Sequence, residues 1–305
     1  MKKNIIMKKI LITGANSYIG NSLKQYFAAY QTEHKENRWR LESISLRGDA
    51  WEQVSFAGYD TVLHMAGIAH ADIGKVSEEG RDMYYRVNRD LAVRAAKKAQ
   101  REGVKQFVYM SSVIIYGDSA PVGRQKHITA DTEPAPANFY GDSKYQAEKE
   151  LQKLRTPQFQ VAVVRAPMIY GKGSKGNFPM LLRLAGKVPV FPSVQNQRSM
   201  LYVENLGEFI RLLAEAGIGG VFYPQNAEYV STAEMVRLIG EALGRRVRLC
   251  GLLNPAVKLA AKVPGKIGGM AGKAFGSLTI DRELSCREIT GYQIYSLEES
   301  IRRSL

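Results

Sequence analysis

The segment Tyr140-Gly141-Asp142-Ser143-Lys144 carries a phenol and an ammonium four residues apart. On a helix, side chains at this spacing share a face. A phenol with an ordinary pKa near ~10 is a weak base at neutral pH, but a neighbouring cation stabilises its phenolate and lowers its pKa. We therefore predict that Tyr140 moves a proton and that Lys144 supports it. Because such pairs also arise by chance on helix surfaces, the prediction depends on the elements around it.

A glycine-rich turn near the start of the chain is the first of these elements. A short apolar run, 8–13, predicts a buried strand; Gly14-Ala15-Asn16-Ser17-Tyr18-Ile19-Gly20 follows it and leads into a helical run from Leu23 to Tyr30. Such a turn directs helix N-terminal amides at a pyrophosphate. Ser17 stands where a Thr-Gly-x-x-Gly-x-x-Gly motif has its middle glycine, so its side chain reduces the clearance, and its amide can face a phosphate only at negative φ. The alternative is a tight turn without a ligand.

Further motifs follow in a fixed order. They are His64-Met65-Ala66-Gly67 after a strand, Val87-Asn88 opening a long helix, Ser111-Ser112-Val113-Ile114-Ile115-Tyr116-Gly117 after another strand, and Arg165-Ala166-Pro167-Met168-Ile169-Tyr170-Gly171. With the two motifs above, they make the chain resemble an extended short-chain dehydrogenase/reductase of the NAD-dependent sugar epimerase/dehydratase family, in its UDP-hexose 4-epimerase branch. The resemblance runs from Lys9 to about Leu297.

The resemblance implies a catalytic set. Ser112, four residues before the Tyr of Tyr116-Gly117, would orient the sugar 4-hydroxyl toward Tyr140. Tyr140 would take its proton while a hydride leaves C4 for the nicotinamide, Lys144 would hold the nicotinamide ribose, and Asn88 would belong to a proton path. A plain strand-end cap is the alternative for Ser112. The cofactor-binding residues implied are Gly14, Asn16, Ser17, Tyr18, Ile19, Gly20, Arg47, Met65, Ala66 and Gly67, with Tyr140 and Lys144.

Substrate contacts carry over to two more residues besides Ser112 and Tyr140. Asn177 matches the family's asparagine at the substrate diphosphate, and Arg198 matches the arginine that clamps it. A guanidinium pairs well with phosphate oxygens. Met168 replaces an asparagine that many 4-epimerases have after Arg-x-x. The alternative for Asn177 and Arg198 is a loop cap and a surface charge.

The residues after Ser112 narrow the reaction. Dehydratases of the family place an Asp-Glu pair there, whereas this chain has Val113 and Ile114, which cannot move a proton. We therefore predict a nucleotide-sugar 4-epimerase that uses NAD. The alternatives are an NADPH-dependent 4-keto-sugar reductase, a 4-epimerase of a lipid-diphosphate-linked sugar, and a non-catalytic NADP-sensing protein.

The cofactor form is decided by the residues after the second predicted strand. NAD enzymes commonly place a carboxylate there for the adenosine ribose. This chain has Arg47, which favours a 2′-phosphate and hence NADP, with Asp49 two residues later. Asp49 could reach the ribose and restore NAD, and Arg47 could also be a surface residue with no cofactor role.

Alternating strands and helices predict an α/β fold, a Rossmann-type doubly wound parallel sheet with a smaller interleaved C-terminal lobe. We expect residues 1–166 to bind NAD(P), with 194–225 returning to that domain, and residues 167–193 and 226–305 to bind substrate. The predicted strands are 8–13, 41–46, 60–65, 105–111, 160–166 and 219–223, and the predicted helices are 19–30, 86–102, 138–154, 203–216, 232–243 and 296–305.

Charge points to an anionic partner. The chain has 305 residues and a net charge of +14, and the segment 242–280 holds seven basic residues and no acidic one. A sugar diphosphate, free or lipid-linked, or an anionic membrane surface would suit it. The alternative is an ordinary solvated basic face. Within 252–275, Pro255, Pro264 and four glycines argue against one continuous helix. We expect no nucleic-acid binding, because no aromatic and basic platform is present.

Two cysteines, Cys250 and Cys286, have neither metal nor disulfide spacing, which predicts a cytoplasmic protein, with peripheral membrane contact as an option. The start, 1–9, is too short for a signal peptide or a span. By analogy with the family, we expect a homodimer through the helices at 86–102 and 138–154. No metal site is predicted.

Overall fold

A computed structural model describes residues 7–35, 38–68 and 76–305 and divides the chain into two compact units. The first comprises Met1–Gly117, Pro134–Ala166 and Leu206–Tyr223, and the second comprises Asp118–Glu133, Pro167–Asn205 and Pro224–Leu305. No helix within the described ranges is both long enough and apolar enough to cross a bilayer. The prediction about the start of the chain falls mainly on 1–6, outside the described residues.

The strands are β1 Lys8–Thr13, β2 Trp39–Ile44, β3 Thr61–His64, β4 Gln106–Ser112, β5 His127–Ile128, β6 Gln160–Ala166, β7 Met168–Tyr170, β8 Val190–Pro192, β9 Met200–Tyr202, β10 Gly220–Phe222, β11 Arg248–Cys250 and β12 Thr279–Ile280. The helices are α1 Tyr18–Glu33, α2 Glu78–Tyr85, α3 Leu91–Arg101, α4 Phe139–Gln152, α5 Asn177–Ala185, α6 Val203–Ala216, α7 Thr232–Ala242, α8 Asn254–Lys262, α9 Lys266–Phe275, α10 Arg282–Ser285 and α11 Leu297–Arg303.

The sheet of the first unit has six parallel strands in the order β10-β6-β4-β3-β1-β2. The chain adds β2 on one side of β1 and then crosses back to add the other strands on the opposite side. Ligands of doubly wound sheets bind at the carboxyl ends of the strands where the order reverses, which here are the ends of β1 and β3. Gly14 and Met65 directly follow those ends. The predicted fold class is confirmed.

The core of this unit lies between the central strands and their helices. Side chains of β3, β4 and β6, among them Val62, Phe107 and Val161, are buried together with the alanines of α3, such as Ala95 and Ala99. Strands covered on both faces are apolar along their whole length, which is why periodicity and apolar runs locate them from sequence. Their burial is the main favourable contribution to folding.

The second unit is built from three pairs of short parallel strands, β7 with β9, β8 with β11, and β5 with β12. Helix α7 packs against α5 and α11, and α8 packs against α9. The backbone of Arg198 bridges Val230 on one side and Leu278 on the other. The position of Arg198 is therefore fixed by two distant parts of the chain.

Three boundaries differ from those expected. Because β9 pairs with β7 and β5 with β12, residues 194–205 and 118–133 belong to the second unit, and the chain returns to the first at Leu206. Strand β2 begins at Trp39, two residues earlier than predicted, because Trp39 is buried against Phe27 with ring centroids 5.3 Å apart. The segment 254–275 forms two helices separated at 263–265, which confirms that it is not one continuous helix.

Helices α6 and α1 meet at Gly207. A Cβ at this position would lie 2.5 Å from Cγ of Tyr26, whose hydroxyl donates to Glu208 at 2.7 Å. We expect Gly207→Ala to cost about 1–3 kcal/mol of stability, because the ring cannot retreat without losing that bond. Gly269→Ala in α9, where nothing lies within 4 Å, should be neutral or slightly stabilising. Urea unfolding of both variants tests this, and equal stabilities would contradict the tight contact.

Candidate active site

Helix α4 carries both residues of the proposed proton-transfer pair. Asn138 caps its N-terminus by accepting from the amide of Gly141 at 3.0 Å. A Cβ on Gly141 would lie 2.9 Å from the carbonyl oxygen of Ile114, so only glycine lets α4 approach the turn that follows Ser112. This contact brings Tyr140 and Ser112 to the same end of the sheet. The packing role of Gly141 was not predicted from the sequence, although its place inside the Tyr/Lys motif was a signal.

Lys144 is buried, and its ammonium is held by polar and aromatic groups. Its Nζ donates to the carbonyl of Met110 at 2.9 Å and lies 4.7 Å from the ring centroid of Tyr109. Burial lowers the pKa of Lys144 to about 8, and the negative charge of Glu148 acts in the opposite direction. At pH 7 the side chain is therefore mostly protonated.

Glu148 lies one turn further along α4 and is itself buried. It accepts from the hydroxyl of Ser111 and from Arg165, whose Nη2 and Nε lie 2.7 and 3.0 Å from Oε2. Arg165 also donates to the hydroxyls of Tyr116 and Tyr223 at 2.6 and 2.7 Å. Removing one member of such a buried pair leaves an uncompensated charge. None of these partners of Glu148 was predicted from the sequence.

Tyr140 is half-buried, and in the described part of the chain nothing forms a hydrogen bond with its hydroxyl. Burial raises the pKa of Tyr140 to about 12, with a smaller contribution from the neighbouring phenol of Tyr84. The expectation that Lys144 lowers this pKa is wrong for the structure described. The reason is that the ammonium donates to the Met110 carbonyl, while burial dominates at the phenol.

Asn88 lies in a π-helical turn, Arg86–Asp90, between α2 and α3. The side-chain oxygen of Asn88 accepts from the backbone amide of Ile68 at 2.8 Å, and its side-chain nitrogen donates to the Ile68 carbonyl and to the hydroxyl of Ser143 on α4, both at 3.1 Å. The backbone carbonyl of Asn88 accepts from the hydroxyl of Tyr109 at 3.0 Å. Asn88 therefore ties the segment after β3 to α4. Turns of this kind are frequent at functional sites, but no sequence pattern indicated this one.

Two glycines let the candidate cofactor segments approach the lysine. At Gly14, with φ +91°, a Cβ would lie 2.9 Å from the amide of Ala66. At Gly67 it would lie 3.1 Å from Oδ1 of Asn88 and 3.3 Å from Nζ of Lys144. The glycine turn after β1, the segment after β3 and the ammonium are thus neighbours.

Ser17 has φ −73°, the negative value that the phosphate prediction required. Its amide, however, donates to the carbonyl of Gly14 at 2.9 Å, and its Oγ accepts from the amide of Gly20 at 3.0 Å. The amides of Asn16 and Ile19 have no partner among the described residues. With the helix N-terminus behind them, these two amides fit a pyrophosphate, whereas the Ser17 amide is already used.

In the loop after β2, the carboxylate of Asp49 pairs with Arg94 and not with Arg47. Arg94 of α3 donates to Asp49 at 3.3 Å, pairs with Glu52, and lies 5.6 Å from the ring centroid of Trp51. Arg47 is exposed, and its guanidinium forms no ion pair within the described residues. Asp49 is therefore held by Arg94, and Arg47 has no counter-ion within 7–35, 38–68 and 76–305.

The two candidate substrate residues lie in the second unit. Arg198 is partly buried and donates to the carbonyl of Lys273, and no carboxylate of the described chain pairs with it. Burial lowers the pKa of Arg198, as expected for a cation without an anionic partner. Asn177 is exposed and begins α5, directly after Gly176 at φ +89°. Met168 begins β7, where it pairs with Met200.

Comparison with known proteins identifies the family of this chain. The sequence profile described as NAD dependent epimerase/dehydratase family matches residues 10–222. The chain belongs to this family. Its relatives include the UDP-glucose 4-epimerase of Vibrio cholerae, 29% identical over 90% of this chain and 87% of the relative. Another is the N-acetyl-alpha-D-glucosaminyl-diphospho-ditrans,octacis-undecaprenol 4-epimerase of Escherichia coli O157:H7, 29% identical over 91% and 85%.

The fold is shared with a solved dTDP-4-dehydrorhamnose reductase from Bacillus anthracis in complex with NADP. Its TM-score is 0.70 at 21% identity, over 98% of this chain and 99% of that one. Membership of the epimerase/dehydratase family confirms the prediction of an NAD(P)-dependent epimerase or oxidoreductase acting on sugar nucleotides. The individual site residues remain predictions.

The charge of Glu148 should set the alkaline limit of activity. Lys144 loses its proton as the pH rises through its pKa of about 8, so we expect kcat/KM to fall above that pH. In Glu148→Gln the charge that raises this pKa is gone, and the fall should begin at lower pH. The variant should also lose about 3 kcal/mol of stability, because Arg165 is left without its anion.

Glu208→Gln is the matched control for that prediction. Glu208 pairs with Arg211 at 2.7 and 2.8 Å in the same unit, so the variant should lose stability while keeping the pH profile of the unmodified enzyme. A shared profile for all three proteins would show that Glu148 does not act on Lys144.

Proposed function

We propose that the protein is a 4-epimerase of a sugar linked to a diphosphate, acting by transient oxidation at C4. The observation that carries the proposal is the pairing of a phenol with an unengaged hydroxyl, Tyr140, and a buried ammonium, Lys144, on one helix at the end of β4. Val113 and Ile114, which follow Ser112, offer no acid or base for elimination. Both 4-epimerase relatives span most of the chain, which supports the same reading.

In this proposal Ser112 holds the sugar 4-hydroxyl. Its Oγ accepts weakly from the amide of Ile114, at 3.3 Å, which leaves its proton free for a substrate oxygen. Tyr140 accepts the proton of the 4-hydroxyl and later returns one to the 4-keto oxygen. A bound nicotinamide would supply hydride acceptance and return. Lys144 would hold the ribose of that nicotinamide. Its Nζ lies beside Gly67, where an added Cβ would be 3.3 Å away.

The pKa of Tyr140 favours one direction of proton transfer in the ligand-free protein. With a pKa of about 12, the phenol is protonated at neutral pH and acts as an acid. This suits the reductive half of the cycle. The oxidative half requires added positive charge near the phenol, and an oxidised nicotinamide carries such a charge.

The substrate class is supported by Arg198. A partly buried guanidinium with no carboxylate partner in the described chain suits the paired oxygens of a diphosphate. Asn177, at the N-terminus of α5, adds a side-chain amide to the proposed diphosphate site. The leaving group beyond the diphosphate, a nucleoside or a lipid, is open to assay with both kinds of donor.

A second candidate is an NADPH-dependent 4-keto-sugar reductase. The contacts of Arg94 with Asp49 and Glu52 favour it, because they leave Arg47 as the unpaired charge after β2. An arginine there suits a 2′-phosphate. The protonated phenol of Tyr140 fits a reductase equally well.

Substitution of Tyr140 by Phe tests the common chemistry. We expect Tyr140→Phe to lower kcat by about 10²- to 10⁴-fold, because the proton acceptor and donor is lost, while dinucleotide binding measured by calorimetry stays near normal. The activity is the interconversion of UDP-glucose or UDP-N-acetylglucosamine with its C4 epimer, without added cofactor. Tyr145→Phe removes a phenol from the same helix and should have no effect. Retained turnover in Tyr140→Phe would remove Tyr140 from the mechanism.

The cofactor form separates the two candidates. Mass spectrometry of nucleotide released from freshly purified protein should find NAD for a self-regenerating epimerase, whereas NADP, or a site that accepts only NADPH, would favour the reductase.

If Arg47 binds a 2′-phosphate, Arg47→Ala should weaken NADPH binding about 10- to 100-fold. Arg94→Gln, by releasing Asp49, should improve NADH binding relative to NADPH. Arg40→Ala, an exposed arginine paired with Glu42 on β2, should change neither. An unchanged preference in Arg47→Ala would make Arg47 a surface residue.

A further inference from the structure

Helices α8 and α9, with the helical turn 251–253 before α8, carry a group of exposed apolar side chains that the proposed reaction does not use. Leu252 is 90% exposed, Leu259 68%, Ile267 59% and Met270 64%. We name these four residues, with the lysines beside them, the hairpin surface. Single exposed apolar residues are ordinary, but four large ones within 19 residues, on two packed helices and the turn before them, are typical of an interaction site.

The hairpin surface is basic as well as apolar. Lys258, Lys262 and Lys273 are exposed on the same two helices, and exposed arginines precede them at 245, 246 and 248. No acidic residue occurs between Ala242 and Ile280. Exposed apolar side chains and exposed cations on one element with no acidic residue are the combination that binds the interface of an anionic bilayer.

The pair of helices α8 and α9 is fixed to the rest of the second unit at the C-terminal end of α9. Phe275 packs against Phe191 with ring centroids 5.8 Å apart, and Asn196 donates to the carbonyl of Gly276 at 3.1 Å. Thr232 donates to the carbonyl of Ala274, and Arg198, the candidate diphosphate residue, donates to that of Lys273. The exposed apolar residues therefore belong to an ordered element that is bonded to the proposed substrate residue.

We propose that the hairpin surface docks the protein on an anionic phospholipid bilayer, with Leu252, Leu259, Ile267 and Met270 entering the interface and the lysines facing the headgroups. Charge complementarity decides between this partner and a second copy of the chain. A two-fold dimer through this surface would place two identical basic patches against each other, and like charges with no acid among them repel. The proposal does not depend on the reaction at C4.

Co-sedimentation of the full chain with lipid vesicles tests the proposal. We expect binding to phosphatidylcholine vesicles that contain phosphatidylglycerol to exceed binding to pure phosphatidylcholine by at least about tenfold, and to weaken as salt is added. The double variant Leu259→Ser, Met270→Ser should lose most of the binding at any salt. The double variant Lys258→Glu, Lys262→Glu should lose the preference for phosphatidylglycerol.

Two control variants lie outside the hairpin surface. Ile294→Ser replaces another exposed apolar residue of the second unit, and Lys105→Glu reverses an exposed charge of the first; both should bind vesicles as the unmodified protein does. All variants change exposed side chains, so thermal unfolding should be unaltered.

Two results would overturn the proposal. One is absence of binding to phosphatidylglycerol vesicles, or binding that the hairpin variants leave unchanged. The other is light scattering that finds a dimer converted to monomer by Leu259→Ser, Met270→Ser with no vesicle binding, which would make the surface a contact between copies of the chain.

Discussion

The buried ammonium of Lys144 is the constraint on which the rest of the first unit depends. Taking a cation out of water is costly, and three groups offset that cost: the carbonyl of Met110, the ring of Tyr109 and the charge of Glu148. Glu148 in turn needs Arg165 from β6. Strands β4 and β6 and helix α4 must therefore remain adjacent, and the pairing of β4 with β6 over seven residues provides that. The sheet therefore holds in place the groups that stabilise the ammonium of Lys144.

The sheet could be predicted from sequence, and the Tyr140/Lys144 pair proposed, because their signals are local. A strand such as β4, buried along nearly its whole length, is an apolar run, and the glycine turn and the Tyr/Lys spacing each lie within a few residues. The short strands of the second unit give no such signal, since β12 pairs with β5 from about half the chain away. The π-helical turn at Asn88 and the contact of Gly141 with Ile114 likewise depend on packing between distant segments.

The pKa of Tyr140 shows what spacing alone leaves undetermined. Residues four apart on a helix share a face, but the direction of a long side chain depends on its partners. Lys144 turns to the Met110 carbonyl, so burial, not the ammonium, governs the phenol. In the same way, Asp49 and Arg47 stood two residues apart in the sequence, yet only the fold brings Arg94 to Asp49. Sequence supplied the groups, and tertiary contacts decided which pairs form.

The proposed proton-transfer residues and the proposed diphosphate residue Arg198 belong to different units. The charges of the two sets are compensated in different ways. In the first, every buried charge around Lys144 has a counter-charge or a carbonyl, so the protonation states are set before any ligand arrives. In the second, the segment 242–280 has no acidic residue, and Arg198 pairs with no carboxylate of the described chain, so the proposed diphosphate would give Arg198 a counter-charge. In the proposed reaction, the phenol of Tyr140 stays protonated until the positive charge of an oxidised nicotinamide is added beside it.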